Sequence, residues 1–429
     1  MRFDDADLLK PLKRQAAGVG LGECMPAAGK GLGPPSFDGH LIRLLLAGLG
    51  NPPIRFTLWT GESAAGTGRI VGGLQIANRS TLLKLLINPD RYFGEAYSDG
   101  AIEVEGDLAK LAEAVYVSRP KSRTRYHEGF NRMASWIGRR RRNTLSRARD
   151  NIHHHYDLGN DFYSLWLDQQ MSYTCAYFQT AEMTLEQAQT AKMELICRKL
   201  RLRAGESVVE AGCGWGALAI HIARRYGARV KAFNISREQV EYARSRARSL
   251  GVEGHVEFIE DDYRNIGGRH DVLVSVGMLE HVGPGHYGEL GRLIDRCLAN
   301  HGRGLIHSIG QVQCRPLNAW IEKHIFPGAY PPTLREMASI IEPQGFAVID
   351  VENLRLHYAL TLSHWLRRFE AESERVRKMY DERFVRAWRL YLAGSLAAFK
   401  TGQLQLFQML FSRASSNDVP WTRAYLYER

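Results

Sequence analysis

From Gly205 to Gly310 the chain repeatedly alternates a short β-type run with a longer amphipathic one. SVVEAG, RVKAFNI, HVEFIED, HDVLVSVGML and RGLIHSIG read as strands. ALAIHIARRYG, REQVEYARSRARSLG and HYGELGRLIDRCLANHG read as the helices. Parallel strands need a crossover long enough to hold a helix, so this order predicts a doubly wound, mostly parallel α/β sheet with helices on both faces. Further on, TLREMASIIEPQ reads as a helix and FAVIDVENL as a strand. Residues 361–411 read as two long helices, the second running through RAWRLYLAGSLAAFKTGQLQLFQMLF. TRAYLY, near the C-terminus, alternates and reads as an antiparallel edge strand. The expectation is a seven-stranded sheet with a helical insertion before its last strand.

The first strand runs into Glu210-Ala211-Gly212-Cys213-Gly214-Trp215-Gly216. Glycines between a strand and a helix let a ligand approach the backbone, because no Cβ stands in the way. The turn lacks the sixth-position glycine of the dinucleotide fingerprint, but Ala217 stands there, so the turn alone does not exclude NAD. The second strand is more telling. A ribose-binding strand usually ends on an acid; this one ends Phe233-Asn234-Ile235-Ser236. Glu210, at the edge of the first strand's apolar run, is placed to orient the turn's amides or a ligand ammonium.

The rest of the chain sets limits. Residues 1–35 are rich in Gly, Pro and Ala and read as a loose leader, without the apolar run of a signal peptide. Residues 36–118 read as a small α+β domain, with a helix stop expected near Asn88 before Pro89. Residues 119–150 read as a basic linker. Arg119 to Arg149 hold eleven basic residues and one acid, a balance of +10 against +11 for the whole chain. Such a run is a solvated linker or a dock for anionic lipid headgroups; Phe130, Trp136 and Ile137 interleave with the charges, as on an interfacial helix. No nucleic-acid-binding module accompanies it, so nucleic acid is not expected as a partner. No apolar stretch is long enough to span a bilayer. Six cysteines without a CxxC pair speak against a structural zinc site and fit a reducing cytoplasm. His153-His154-His155 point in different directions and are not expected to share a metal. Residues 151–429 form the expected catalytic domain.

An ordered series of segments resembles the cyclopropane-fatty-acyl-phospholipid synthase family and the related mycolic acid methyltransferases. The series runs through HHHYDLGNDFYSLWLD (153–168), MSYTCAYF (171–178), LEQAQTAKMELICRKLRL (185–202), GCGWGALA, VSVGMLEHVG (274–283), HSIG (307–310), IEKHIFPG and YALTLSHWLRRF (358–369). NPDRYFGEAYSDG, in the small domain, resembles the family's accessory domain. The resemblance implies a class I S-adenosylmethionine (SAM) methyltransferase fold. It also implies transfer of a methylene group to the cis double bond of a phospholipid acyl chain to form a cyclopropane ring. The alternative is C-methylation without ring closure, giving a methylene- or methyl-branched chain. An N-methyltransferase and a non-enzymatic lipid- or RNA-binding module are weaker alternatives. Two departures stand out: VVEAG where the family usually has VLDIG, and FNIS where it has ITLS.

Carried over residue by residue, Tyr156, Gly159 and Asn160 would embrace SAM together with Glu210, Gly212, Gly214 and Trp215. Asn234, Ser236 and Gln239 would lie beside its ribose and adenine, with Asp262 and Tyr263 flanking the adenine. An alkene is a weak nucleophile, so the enzyme must align alkene carbon, methyl carbon and sulfur within ~3–3.5 Å. It must also exclude water from the cation that forms. Ring closure then needs a base. In the family this is a bound bicarbonate ion, whose holders would be Cys175, Glu280, His307, Ile309 and Tyr358: Glu280 accepting from it, the Cys175 and Ile309 backbones donating, His307 and Tyr358 donating through side chains. Read from the residues alone, Cys175 is equally a buried inert thiol, His307 a satisfied core histidine and Glu280-His281 a cap. Trp166, Trp215, Trp320, Phe326, Trp365 and Trp388 would line an acyl tunnel or fill the core, and KHIFPGAYPP would be a lid or membrane-facing shoulder. The resemblance also implies a cytoplasmic enzyme attached peripherally to the inner membrane face, with a phospholipid surface as partner and homodimerisation as family habit.

Overall fold

The computed structural model describes residues 35–119 and 158–427. Nearly all of the leader, the basic segment beyond Arg119, His153–His155 and Tyr156 lie outside the described residues. The chain divides into two compact units, Met1–Pro120 and Lys121–Arg429.

In the first unit α1 (Phe37–Gly48) precedes β1 (Ile54–Leu58), β2 (Ser63–Ala65) and β3 (Gly72–Ile76). Then come α2 (Arg79–Ile87), α3 (Pro89–Ser98), β4 (Ile102–Gly106) and α4 (Leu108–Ser118). The strands form one sheet in the order β2-β1-β3-β4. The expected stop near Asn88 is present and has a cause. α2 ends at Ile87, and Asn88 caps α3 by accepting from the Arg91 N–H, with Pro89 in the first helical turn, where its missing N–H costs nothing. Ile42, Leu46, Ile54, Phe56, Ile76 and Leu82 make its core.

Among the described residues the second unit begins with α5 (Asn160–Ser164) and α6 (Leu185–Lys199), the latter started by a Thr184–Gln187 capping box. The alternation then runs β5 (Ser207–Ala211), α7 (Ala217–Tyr226), β6 (Arg229–Asn234), α8 (Arg237–Ser249), β7 (Val256–Glu260), β8 (His270–Val276), α9 (Tyr287–Cys297) and β9 (Leu298–Gly310). After α10 (Ala319–His324), α11 (Leu334–Ile341) and β10 (Phe346–Asn353) come α12 (Arg355–Ala371), α13 (Ser373–Met379), α14 (Glu382–Thr401) and β11 (Gln405–Arg413). The seven-stranded sheet has the order β10-β11-β9-β8-β5-β6-β7, and only β11 runs antiparallel to its neighbours. From β5 the chain moves first to β6 on one side and later to β8 on the other. The glycine turn after β5 therefore lies at the switch point of the sheet, where such folds bind ligands.

The C-terminal reading needs correcting. The helix expected to run to Phe411 ends at Thr401, where Gly402 adopts φ +80° as the left-handed cap. QLFQMLFSR is the seventh strand. It is buried along nearly its whole length between β9 and β10, so it shows no alternation and reads like a continuation of the apolar helix. TRAYLY, expected as that strand, holds only a short helical turn, Ala424–Leu426. The order of events survives: a helical insertion precedes the last strand.

Candidate active site

The three glycines of the turn have positive φ: +84° at Gly212, +53° at Gly214 and +80° at Gly216. Their reasons differ. A Cβ on Gly212 would stand 2.9 Å from Met278 Cβ, and one on Gly216 would stand 2.6 Å from the Phe258 ring. A Cβ on Gly214 would meet nothing within 4 Å. The outer two are glycine for packing; at the middle one the space beside the backbone is open. The Gly212 and Cys213 N–H groups both donate to Phe233 O at 3.0 Å, which fastens the turn to β6. α5 crosses the turn: Trp215 Nε1 donates to Asn160 Oδ1 at 2.6 Å, and the Tyr163 and Trp215 ring centroids are 5.1 Å apart. Gly159, at φ +82°, begins that helix.

The remaining expected cofactor residues lie at the ends of β6 and β7. Asn234 Nδ2 donates to Gly214 O (3.1 Å) and Gln239 Oε1 (2.7 Å), and its Oδ1 accepts from Ser236 N. Its polar atoms are thus engaged in clamping the glycine turn, which a carboxylate could not do toward a carbonyl. Ser236 caps α8, and Gln239 keeps a buried Nε2 without a partner among the described residues. Asp262 accepts from Arg264 N, and the buried Tyr263 hydroxyl has no partner among the described residues. Glu210 is buried in β5, and burial pushes its carboxyl up to about 8 against the pull of Lys192 and the Ala219 N–H.

The residues expected to hold a base lie on four elements, and among them a hydrogen bond joins Glu280 to Ile309. Glu280 sits in a short turn after β8, and its Oε1 accepts the Ile309 N–H at 2.6 Å. Its Oε2 is buried without a partner among the described residues, and burial pushes the carboxyl up to about 7. The Ile309 amide, expected to donate to a bound ion, is instead given to Glu280: a backbone donor beside a buried carboxylate is taken by it. His307, on β9, meets Gln408 Nε2 through Nδ1 at 3.1 Å and leaves Nε2 without a partner among the described residues. Burial, with Lys192 and Lys199 nearby, holds its pKa well below the usual value, so the ring is neutral. Cys175 is fully buried, and burial raises its thiol pKa strongly. It is no thiolate nucleophile, so its usable group here is its backbone. Tyr358, on α12, packs against Phe399 with centroids 4.5 Å apart.

Three contacts join the two sets. Gly277 and Met278 follow β8; Met278 lies on Gly212, and a Cβ on Gly277 would touch Thr174 Cγ2 at 3.0 Å. Lys192 Nζ donates to Thr174 Oγ1 at 2.9 Å. This lysine is buried, and Asp168, Cys175 and Glu210 counter the desolvation that lowers its pKa. Sequence reasoning missed Lys192, Lys199 and Gln408. A signal existed: Gln189, Lys192, Ile196 and Lys199 share one face of α6, and polar residues on a buried face imply partners. Trp166, Trp365 and Trp388 pack edge-to-face or tilted, with Trp166 5.6 Å from Trp365 and 5.9 Å from Trp388. Phe326, of the expected lid, lies 5.5 Å from Tyr391, and Tyr330 N donates to Glu280 O, so this segment forms a wall of the Glu280 site. Trp320 lies beside His324 instead. A cavity of about 1080 Å³ lies elsewhere, lined by α6, α7 and the end of α8, and includes none of the expected site residues.

Residues 143–409 match the mycolic acid cyclopropane synthetase family. The chain belongs to that family. Residues 41–125 match a domain of unknown function (DUF7884). Among relatives of this cyclopropane synthetase family member, a probable fatty acid methyltransferase of Pseudomonas putida is 36% identical over 87% of this chain and 96% of its own length. The cyclopropane-fatty-acyl-phospholipid synthase of Escherichia coli K12 is 36% identical over 81% of this chain and 89% of its own. The crystal structure of mycolic acid cyclopropane synthase CmaA1, complexed with SAH and CTAB, superposes with a TM-score of 0.59 at 28% identity, covering 61% of this chain and 97% of that one. Fold and family together make this protein a SAM-dependent methyltransferase of the cyclopropane synthetase kind.

Proposed function

We propose that the protein adds a methylene group from SAM across the cis double bond of an unsaturated phospholipid acyl chain and closes a cyclopropane ring. The observation that carries this reading is the pair of buried atoms left without partners among the described residues, Glu280 Oε2 and His307 Nε2; the Glu280 turn follows Met278, which lies against Gly212. Ring closure needs a proton acceptor held away from water, and the pair lies where such an acceptor could be held. The open backbone at Gly214 would hold SAM, which when bound would supply an electrophilic methyl group. A bicarbonate ion between Glu280 and His307 would supply the base, and two unsatisfied buried polar atoms suit a small ion that both donates and accepts. Glu280 Oε2 would accept from its hydroxyl while the Ile309 N–H fixes the carboxylate, and His307 Nε2–H, the Tyr358 hydroxyl and the Cys175 backbone would donate to it. The edge-to-face and tilted aromatic cluster around Trp166 would help to exclude water.

The match to the P. putida fatty acid methyltransferase supports a second reading, in which the acyl chain is methylated without ring closure. Both products are one CH₂ heavier than the substrate. Incubation with labelled SAM and a mono-unsaturated phospholipid, followed by proton NMR of the product lipid, separates them. Cyclopropyl methylene signals are expected; a vinylidene or branched methyl signal in their place establishes the second reading.

The same reading treats residues 1–35 as a leader, 36–118 as an accessory domain, 119–150 as a lipid-docking linker and 151–429 as the catalytic domain, with the enzyme attached peripherally to the inner membrane face. Among the described residues no helix is long and apolar enough to cross a membrane. Each basic residue near an anionic surface contributes about 1 kcal/mol. Replacing Arg139, Arg140, Arg141 and Arg142 together with serine should therefore weaken co-sedimentation with phosphatidylglycerol vesicles by about 100-fold or more. Equal binding by the variant would remove the linker from the docking role.

A further inference from the structure

His307, Gln408 and Glu352 stand in one row across three strands. Gln408 of β11 is directly opposite His307 of β9 on one side and Glu352 of β10 on the other. Lys199, from the last turn of α6, reaches into this row. Its Nζ donates to Gln408 Oε1 at 2.7 Å and to Glu352 Oε2 at 2.5 Å, and its side chain is 1% exposed.

We propose that Lys199 and Gln408 are positioning residues that lock His307 in the tautomer carrying its proton on Nε2, so that the ring presents an N–H donor to the site. The chemistry of each partner forces the assignment. An ammonium only donates, so the Gln408 atom facing Lys199 is the carbonyl oxygen. The other end of the amide is then NH₂, which also only donates. His307 Nδ1, 3.1 Å away, is therefore the acceptor and carries no proton. In a neutral imidazole the remaining proton sits on Nε2, the nitrogen without a partner among the described residues. Without Lys199 the amide is free to turn over and offer its oxygen to an Nδ1–H, which would leave Nε2 a bare lone pair. Glu352 neutralises Lys199 and keeps a charged, donating ammonium tolerable inside the sheet layer.

The functional value of the lock rests on the reading of His307 as a donor, and the test separates the two. Full-length protein labelled with ¹⁵N-histidine is compared by long-range ¹H–¹⁵N correlation, with His307 identified by its absence in His307→Asn. Wild type should show His307 protonated on Nε2 alone. Gln408→Glu, nearly isosteric, replaces the donor with an acceptor and should protonate Nδ1. Lys199→Met should give a mixture of tautomers. Turnover should fall about 10-fold or more in both variants, with KM for SAM unchanged. A wild-type spectrum with the proton on Nδ1, or an Nδ1 that stays bare in Gln408→Glu, overturns the proposal. Because the wild-type spectrum alone can overturn it, a variant that fails to fold does not rescue it. Tautomer shifts as expected with undiminished turnover would support the lock and overturn the donor role of His307.

Discussion

Glu280→Gln is expected to keep SAM binding, lose turnover by about 10²–10⁴-fold and yet yield a more stable protein at alkaline pH. The two effects share one cause. The Glu280 carboxyl is fully buried, and burial outweighs the hydrogen bonds from its own N–H, the Ile309 N–H and the Ser308 side chain, pushing its pKa from 4.5 to about 7. The folded protein thus holds this proton to higher pH than the unfolded chain does. Stability contributed by the group is fully present below the unfolded value and falls as pH rises toward 7; above that it is a constant cost. The interval corresponds to about 3 kcal/mol. Glutamine cannot ionise, and its Oε1 still accepts the Ile309 N–H. Urea unfolding should therefore show the variant more stable than wild type by about 3 kcal/mol at about pH 8 and little different at about pH 4. The wild-type rate should rise through pH ~7 as the carboxylate forms. Normal turnover in the variant would strip Glu280 of its assigned role. Equal stability at both pH values would mean that the carboxylate has a partner in solution.

What the sequence disclosed follows physical lines. The βαβ alternation and the glycine turn were legible because their signals are local: periodicity within each element, and three glycines between a strand and a helix. The N-terminal elements were legible for the same reason, with Asn88 and Pro89 as adjacent punctuation. β11 was not, because a strand buried on both faces loses the alternation that distinguishes it from a helix. The candidate site divides similarly. Glu280, His307 and Tyr358 were found through resemblance, not spacing. From the sequence Asn234 reads as a ribose neighbour, but its engagement with Gly214 and Gln239 depends on how the turn folds back on β6. Nothing local to Ile309 reveals that Glu280, 29 residues earlier, takes its N–H. The row Glu352–Gln408–His307 depends on the register of three strands, with Lys199 joining from a helix 209 residues before Gln408. Pairings of that range are invisible until the sheet is assembled.

Gly214→Val should abolish SAM binding while leaving the fold nearly intact, and Gly216→Ala should do the reverse. The two positions differ in what surrounds them, not in their chemistry. At Gly214 the φ of +53° lies in the left-handed region, where a side chain costs about 1–2 kcal/mol, but no described atom stands within 4 Å of the new Cβ. The added bulk can project only into the space above the turn, where a cofactor seated on this backbone must lie. A loss of SAM affinity of at least about 100-fold, equivalent to about 3 kcal/mol, is expected by titration calorimetry. The unliganded melting temperature should drop modestly, and the thermal shift that SAM confers on wild type should vanish. At Gly216 the new methyl would lie 2.6 Å from the Phe258 ring and 2.8 Å from Ala243 Cβ, so β7 and α8 must move apart. That overpacking should cost about 1–3 kcal/mol of stability with SAM affinity much less affected. If Gly214→Val binds SAM as wild type does, the cofactor does not sit on this turn, and the positive φ values at 212–216 serve only the packing of β5 against its neighbours. If both variants lose stability equally, the open space at Gly214 is closed in solution. The contrast between the two variants, more than either loss alone, distinguishes a glycine kept for a ligand from a glycine kept for a neighbour.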